Sequence, residues 1–182
     1  MNIGIVGLGL IGKSMAQIFK ENTSHVIFGF DFNKTEMFSA LMIKAIDRML
    51  IEDNFIDCDA IIFCVHSDKL TKFILDRADK FKKDALFIGY CGAVKEICEE
   101  CDIIAKTHHF KFIGGIPTTG KRFSIYKHFN INLFKDAVIT LTPTKNTKML
   151  TRVEAKKLFF SAEFKKINFI SPPTNKRKKE KK

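Results

Sequence analysis

The sequence has no tryptophan and no apolar run long enough to cross a membrane. A spanning helix needs roughly 18 or more consecutive apolar residues, and no run in the 182 residues reaches that length. The amino-terminal stretch MNIGIVGLGLIG lacks the basic residues and the A-x-A site of a signal peptide, and its glycines have the spacing of a turn. The sequence therefore indicates neither a membrane protein nor an exported one.

A disulfide framework is not indicated either. The five cysteines are an odd number and no export signal precedes them, so we expect reduced thiols and a cytoplasmic location. Cys91, Cys98 and Cys101, followed by His108 and His109, could supply a tetrahedral zinc site. Their spacing, C-x6-C-x2-C-x6-H, matches no standard zinc module. We therefore predict structural cysteines and no metal, in preference to a zinc site or a redox pair.

The chain is basic, but its charge lacks the pattern of a nucleic-acid-binding protein. The net charge is +11, and the last seven residues, KRKKEKK, hold six Lys or Arg against one Glu and so carry +5 of it. No recognised nucleic-acid motif accompanies the charge. A basic body suits an anionic ligand, and we predict that residues 172–182 form a disordered basic tail without specific nucleic-acid binding.

Short apolar runs alternate with amphipathic segments along the rest of the chain. Strands are predicted at 3–6, 25–31, 59–65, 85–90, 110–116, 137–143 and 165–170. Helices are predicted at 10–20, at 35–45 with Asn33 as the cap, from 67 onward, at 94–101 and at 146–163. Continuous apolar strands alternating with helices are typical of a parallel sheet covered on both faces. We therefore predict an α/β fold, a Rossmann-type doubly wound and mostly parallel sheet, in a single domain over residues 1–171.

Residues 7–14, GLGLIGKS, fit two phosphate-binding fingerprints at once. Gly7, Gly9 and Gly12 fit G-x-G-x-x-G, the dinucleotide turn, whereas Gly7, Gly12, Lys13 and Ser14 fit G-x-x-x-x-G-K-[ST], the P-loop. Both fingerprints require a glycine turn between a strand and a helix, where free N–H groups attract anions. A glycine turn that serves only close helix–strand packing is a third interpretation.

The position of Asp31 favours the dinucleotide turn. This acid closes the second predicted strand 19 residues after Gly12, where a dinucleotide site has a carboxylate for the ribose hydroxyls. A P-loop needs an acid after a later strand, but the strand at 59–65 leads into His66. Because a carboxylate repels a 2′-phosphate, NAD is favoured over NADP. The predicted cofactor-binding residues are Gly7, Gly9, Leu10, Ile11, Gly12 and Asp31.

The ordered set of motifs resembles the nucleotide-binding domain of prephenate and arogenate dehydrogenases, from residue 2 to about 171. The motifs are IGIVGLGLIGKS, GFD at the end of the second strand, GAVKE (92–96), GGIPTTG (114–120), LFKDAVITLTP (133–143) and ISP (170–172). The resemblance implies an NAD-dependent oxidoreductase of tyrosine biosynthesis that oxidatively decarboxylates prephenate or arogenate. It also implies a helical second domain after residue 172, in place of which this sequence has PPTNKRKKEKK. A partner chain supplying that helical dimerisation domain is therefore expected.

The substrate-side motifs depart from the family pattern. The family's D-x-x-S segment carries a serine near the substrate's ring hydroxyl, and here its ends are Tyr90 and Ala93. The family's H-P-M-x-G supplies a histidine that polarises this hydroxyl, and here Ile116 stands in its place. Isoleucine cannot accept a proton, so this route of general-base catalysis is absent.

Other residues could take over the substrate side. His66 follows a strand in the crevice where open α/β sheets place ligands, and it is our candidate catalytic base, with a helix-capping role as the alternative. The candidates for contact with a dicarboxylate substrate are Lys95, Thr118, Thr119, Lys121 and Arg122. Two functions remain open at this point: a prephenate dehydrogenase-like NAD enzyme, and a non-catalytic dinucleotide-binding module or remnant of such an enzyme. A dehydrogenase of another substrate is a third.

Overall fold

The computed structural model describes residues 1–90, 95–118, 134 and 137–171, with the backbone alone for 67, 68 and 116–118. The strands are β1 Asn2–Val6, β2 Val26–Phe30, β3 Arg48–Met49, β4 Ala60–Phe63, β5 Leu86–Gly89, β6 Lys111–Thr118, β7 Val138–Thr142 and β8 Lys166–Phe169. The helices are α1 Leu10–Asn22, α2 Lys34–Met42, α3 Ser67–Leu75, α4 Lys95–His108 and α5 Met149–Ser161. Short 3-10 turns lie at Phe55–Asp57 and Ala78–Lys80.

The strands form one sheet of eight in the order β3-β2-β1-β4-β5-β6-β7-β8. Pairing is parallel from β3 to β6 and again between β7 and β8, and it is antiparallel between β6 and β7. The order 3-2-1-4-5-6 is that of a doubly wound dinucleotide-binding sheet. The predicted α/β fold with a mostly parallel sheet is therefore confirmed, and two strands of reversed direction, β7 and β8, extend it at one edge.

Both faces of the sheet are covered, because successive strand residues point to opposite sides. Along β4, Ala60 and Ile62 join one apolar cluster while Ile61 and Phe63 join the other. The first cluster contains buried residues of α1, α2 and α5, and the second contains buried residues of α3 and α4. This two-sided burial explains why the strands read as continuous apolar runs rather than as alternating ones.

The chain's many phenylalanines concentrate on the α3/α4 face. Eight rings are linked there by centroid distances between 4.2 and 6.2 Å: Phe30, Phe32, Phe55, Phe63, Phe73, Phe81, Phe87 and Phe110. Most of these contacts are edge-to-face, the arrangement that the ring quadrupole favours. Phenylalanine rings therefore form a large part of the core on this face of the sheet.

Several elements differ from the sequence prediction in their bounds, and one strand is additional. The two-residue strand β3 was not predicted. Helix α2 ends at Met42 rather than at 45, and α4 continues to His108 rather than ending at 101. The residues just beyond these helices, Lys44 and His109, have φ values of 58° and 61°, a left-handed conformation that ends helices. The predicted cap of α2 is confirmed, since the Asn33 side chain accepts a hydrogen bond from the Thr35 N–H.

Candidate functional site

The first glycine of the turn after β1 occupies a position that only glycine can fill. Gly7 has φ of +92°, in the left-handed region that side chains avoid. A Cβ at this position would lie 2.7 Å from the carbonyl oxygen of Cys64, at the end of β4. The Gly7 N–H donates to the Phe30 carbonyl at 2.8 Å, which joins the turn to the end of β2. Gly7 therefore allows the chain to turn sharply between two neighbouring strands.

The other two glycines of the turn have opposite surroundings. A Cβ on Gly12 would lie 1.7 Å from the Gly7 carbonyl oxygen, so only glycine lets α1 pack so closely on the turn. A Cβ on Gly9 would meet no heavy atom within 4 Å. The turn is thus closed on the protein side and open above Gly9, where a ligand could approach the backbone.

The open side coincides with the amino terminus of α1. Gly9 is the N-cap residue; no side chain caps this end, and no acidic residue lies in the first turn. The first N–H groups of a helix have no partner within the helix, and together with the helix dipole they attract anions. These donors, on Leu10, Ile11 and Gly12, form a cradle for a phosphate or pyrophosphate group.

Asp31 lies beside this cradle and is held in place by the backbone. Its Oδ2 accepts the Leu8 N–H at 2.7 Å, and its Oδ1 accepts the Asn33 N–H at 2.8 Å. Each oxygen of a carboxylate can accept about two hydrogen bonds, so one acceptor position on each oxygen remains. The carboxylate is therefore fixed at the end of β2 and can still accept hydrogen bonds from vicinal hydroxyls. The bond to Leu8 was not predicted from the sequence.

The geometry of Lys13 and Ser14 argues against the P-loop interpretation. In a P-loop the lysine reaches the phosphates and the hydroxyl binds magnesium. Here the Lys13 Nζ lies 2.6 Å from Glu36 Oε2 and 3.1 Å from Ser39 Oγ, both on α2. The Ser14 side chain is fully buried beneath the helix. Neither residue faces the open side of the turn.

A groove opens beside Asp31 that the sequence did not reveal. It has a volume of about 380 Å³ and is lined by Phe32, Lys69, Lys72, Phe73, Asp76 and Arg77. The Phe32 side chain is 61% exposed, and the Arg77 guanidinium lies over the Phe73 ring, 4.3 Å from its centroid. Exposed aromatic surface with cations nearby suits a flat ring that carries phosphates. The only sequence signal for this groove was a large aromatic residue directly after the strand-end acid.

His66 lies at the same edge of the sheet as the glycine turn. It is the N-cap residue of α3 and is exposed; its side chain makes no capping hydrogen bond, and its carbonyl accepts the Lys69 N–H at 3.0 Å. Cys64, two residues earlier, is the residue against which Gly7 packs. The imidazole thus has no structural task at the helix end, and a catalytic role for His66 stays a prediction.

The comparison with known sequences now identifies the family. The sequence model described as "Prephenate dehydrogenase, nucleotide-binding domain" matches residues 15–165. The chain belongs to the prephenate dehydrogenase family. Because the match begins after the glycine turn, the assignment of Gly7, Gly9 and Gly12 depends on their own geometry. None of the helices in the described ranges is long and apolar enough to cross a membrane.

Individual relatives are similar at moderate identity. A prephenate dehydrogenase of Lactococcus lactis is 31% identical over 140 residues, covering 76% of this chain and 40% of the relative. The structure of Aquifex aeolicus prephenate dehydrogenase with hydroxyphenyl propionate and NAD+ superposes with a TM-score of 0.79 at 22% identity, and that of Synechocystis arogenate dehydrogenase with 0.80 at 23%. Each covers 94% of this chain and 60% of the solved one. The chain thus spans about two fifths of that curated relative and three fifths of these solved chains.

The positions that the resemblance assigns to the substrate side lie directly after β5 and within β6. Tyr90 comes directly after β5, and its N–H donates to the Phe63 carbonyl at 2.9 Å. Burial, and to a smaller extent the neighbouring Cys64, raises the pKa of the Tyr90 phenol, while burial raises the pKa of the Cys64 thiol to about 12. Both groups are therefore neutral near pH 7. Ala93 lies outside the described residues.

Strand β6 carries Ile116 and Thr118 past the end of β5. Gly89, the last residue of β5, pairs with Gly114, and β6 continues to Thr118 alongside β7. Ile116 is one of the continuing residues and pairs with Thr140. Thr119, Lys121 and Arg122 lie outside the described residues.

Lys95 begins α4, near the carboxyl end of β5 in sequence. Its Nζ is 3.8 Å from Glu99 Oε1, one helical turn away, and its side chain is 39% exposed. Exposed pairs of this kind contribute little to stability. The ammonium group therefore remains available to a ligand, and its role in substrate binding stays a prediction.

The cysteine cluster does not form the alternative zinc site among the residues that the structure describes. Cys98 and Cys101 are fully buried in the α3/α4 apolar cluster, and burial raises the pKa of the Cys101 thiol to about 12. Zinc binds the thiolate form, which such burial disfavours. No group of three metal-binding side chains occurs within the described ranges. Cys91 lies outside them.

Proposed function

We propose that this chain binds NAD at the glycine turn, as the cofactor-binding part of an oxidoreductase of the prephenate dehydrogenase type. The observation that carries this proposal is the open space above Gly9, set between two glycines that tolerate no side chain. A packing turn needs the two tight glycines but has no use for an open, uncapped helix end. The Aquifex relative, whose structure contains NAD+, supports the same choice of cofactor.

Different residues at the turn would bind different parts of the dinucleotide. The N–H groups of Leu10, Ile11 and Gly12 would bind the pyrophosphate, and the free acceptor positions of Asp31 would bind the ribose hydroxyls. The adenine would lie in the groove beside Phe32. A 2′-phosphate would be placed against the Asp31 carboxylate, so we infer a preference for NAD over NADP.

The proposed reaction removes a hydride and CO2 from a cyclohexadienyl dicarboxylate such as prephenate or arogenate. Bound NAD+ would accept the hydride while a base takes the proton of the ring hydroxyl, and the phenolate formed when CO2 leaves would take that proton back. His66 is the candidate base, because its imidazole is exposed at the cofactor edge and makes no capping bond. Lys95, Thr118, Thr119, Lys121 and Arg122 are the candidates for contact with the substrate carboxylates.

A second candidate function is a dinucleotide-binding module without turnover. Ile116, at the position of the family's histidine, favours it because its side chain cannot take up a proton. In both cases we infer a cytoplasmic protein without specific nucleic-acid partners. We further propose that a helical dimerisation domain on a partner chain completes the substrate site.

Calorimetry on the full chain tests cofactor binding. We expect heat with NAD, a weaker signal with NADP and none with magnesium–ATP. A signal with magnesium–ATP and none with either nicotinamide coenzyme would overturn the assignment of the turn.

Turnover is tested separately, by following reduced nicotinamide absorbance with prephenate and with arogenate. NAD binding without turnover, even at high protein concentration, would select the non-catalytic module. If turnover is seen, His66→Ala should abolish it, and an unaffected rate would remove His66 from the mechanism.

A further inference from the structure

The outer face of α5 is apolar, although it is exposed. Met149 and Phe160 are each 72% exposed, Leu150 is 64% exposed, and Val153 is also exposed. A helix on the surface of a globular domain normally carries polar residues on its outer side. Scattered exposed apolar residues need no explanation, whereas a contiguous group of them marks an interaction surface.

The exposed residues form one stripe along the helix. Met149, Val153 and Phe160 are spaced by four and seven residues, with Lys156 between the last two, which places them on the same side of a helix. The opposite side contributes Ala155, Leu158 and Phe159 to the core. The exposed side of α5 therefore has three apolar residues in line with one lysine, which is more apolar surface than a solvent-facing side normally has.

The lysines of α5 lie at the start of this stripe, within it and beside it. Lys148, Lys156 and Lys157 are exposed and make no ion pair within the part of the chain that the structure describes. The one acidic residue of the helix, Glu154, is already paired with Lys111 at 2.6 Å. A partner that covers the stripe would thus gain most from carboxylates at its margins.

The charge also argues against a second copy of this chain as the partner. A two-fold symmetric contact places the same patch of both copies face to face, so it would bring the unpaired lysines of both α5 helices into one interface. Residues 172–182 are equally unsuited to cover the stripe, because that segment is strongly basic.

We propose that the outer face of α5 docks an amphipathic helix of a different protein, with apolar residues along its centre and acidic residues on its flanks. The spacing of the stripe is that of ridges on one helix packing against another. The proposal is independent of cofactor binding, because the stripe contains none of the residues assigned to the glycine turn.

The test uses the full chain and two labelled helical peptides of roughly 20 residues, long enough to cover α5. Both peptides have leucines along one side; one has glutamates on its flanks, the other lysines. Fluorescence anisotropy should detect binding of the glutamate peptide only, weakening as salt is added. The double variant Lys156→Glu/Lys157→Glu should reverse the choice between the peptides.

The matched variants are Phe160→Ser and Phe38→Ser, the latter on α2 with a phenylalanine that is 58% exposed. Loss of a buried aromatic anchor should weaken peptide binding about tenfold in Phe160→Ser, with no change in Phe38→Ser or in either thermal midpoint. No binding of the glutamate peptide, equal binding of both peptides, or an equal effect of the two serine variants would overturn the proposal. So would a dimer of the chain that Phe160→Ser dissociates, since the occupant would then be a second copy.

Discussion

The two halves of this sheet differ in how closely they follow their family. The half from β1 to β4 has a complete glycine turn, an acid at the end of β2 and an uncapped helix terminus. In the half from β5 to β8 the strand framework is kept, but Ala93 and Ile116 stand where the family has its serine and histidine. Both halves therefore keep the strand framework of the family, but only the first keeps the family's residues at its functional positions.

The difference follows from what each task requires of the side chains. Anion binding at a helix terminus uses backbone N–H groups and glycines that leave room, so few side chains are needed. Proton transfer requires a titratable group at one place, and its removal costs roughly a hundred- to ten-thousand-fold in rate. Cofactor binding can thus persist in a chain in which the substitution of one residue removes the proton acceptor.

The largest effect is expected from Gly12→Ala, which disrupts the glycine turn in the cofactor-binding half of the sheet. The new methyl group would lie 1.7 Å from the Gly7 carbonyl oxygen, so we expect a loss of about 3 kcal/mol of stability or more together with the loss of NAD binding. Gly9→Ala is the matched control: its φ of −67° suits alanine and its Cβ meets nothing. Thermal unfolding should leave Gly9→Ala unchanged while calorimetry shows weakened NAD binding. Equal stability of the two variants would contradict the assigned roles.

The next largest effect is expected from restoring the family's residues in the substrate-side half of the sheet. Restoring the family's residues with Ala93→Ser and Ile116→His should raise the rate of NAD reduction by prephenate about a hundredfold, measured by nicotinamide absorbance. The affinity for NAD, measured by calorimetry, should not change. A rate that stays at the level of the original chain would mean that the absent histidine is not what limits turnover.

A smaller effect is expected from Asp31→Asn, which removes the charge and one of the two backbone hydrogen bonds of this side chain, because an amide nitrogen cannot accept an N–H. We expect about fivefold weaker NAD binding, since a hydrogen bond to a charged group is worth about 1 kcal/mol more than a neutral one. The preference for NAD over NADP should shrink at the same time, because the repulsion of a 2′-phosphate disappears. Calorimetry with both coenzymes measures this, and an unchanged ratio of their affinities would show that Asp31 does not contact the ribose.

The smallest effect is expected from Lys13→Met, which distinguishes the dinucleotide turn from the P-loop. The variant loses the ion pair with Glu36, so a decrease in stability of about 1 kcal/mol or less is expected. NAD binding should stay within a factor of about two, because the ammonium group does not face the open turn. Loss of nucleotide binding in Lys13→Met would revive the P-loop interpretation.

Sequence reasoning was most accurate where the signal was local. The strand and helix alternation predicted the elements of the doubly wound sheet, and Asn33 was correctly identified as a cap. The prediction for α4 ended at Cys101, directly before Asp102. In the structure Asp102 is only 7% exposed and accepts a hydrogen bond from Thr144 Oγ1 at 2.8 Å. A buried polar residue with a distant partner carries no local signal.

The sequence alone determined three features: the glycine spacing, the apolar pattern of the strands and the separation between the turn and Asp31. Each depends on backbone sterics or burial within one or two elements. Four features could not be predicted from the sequence: the reversed direction of β7, the hydrogen bond from Leu8 to Asp31, the ion pair of Lys13 with Glu36 on α2, and the groove beside Phe32. These features join residues far apart in sequence, and such contacts depend on how the elements pack in three dimensions. The exposed apolar face of α5 belongs with them, since only packing decides which of two apolar sides enters the core.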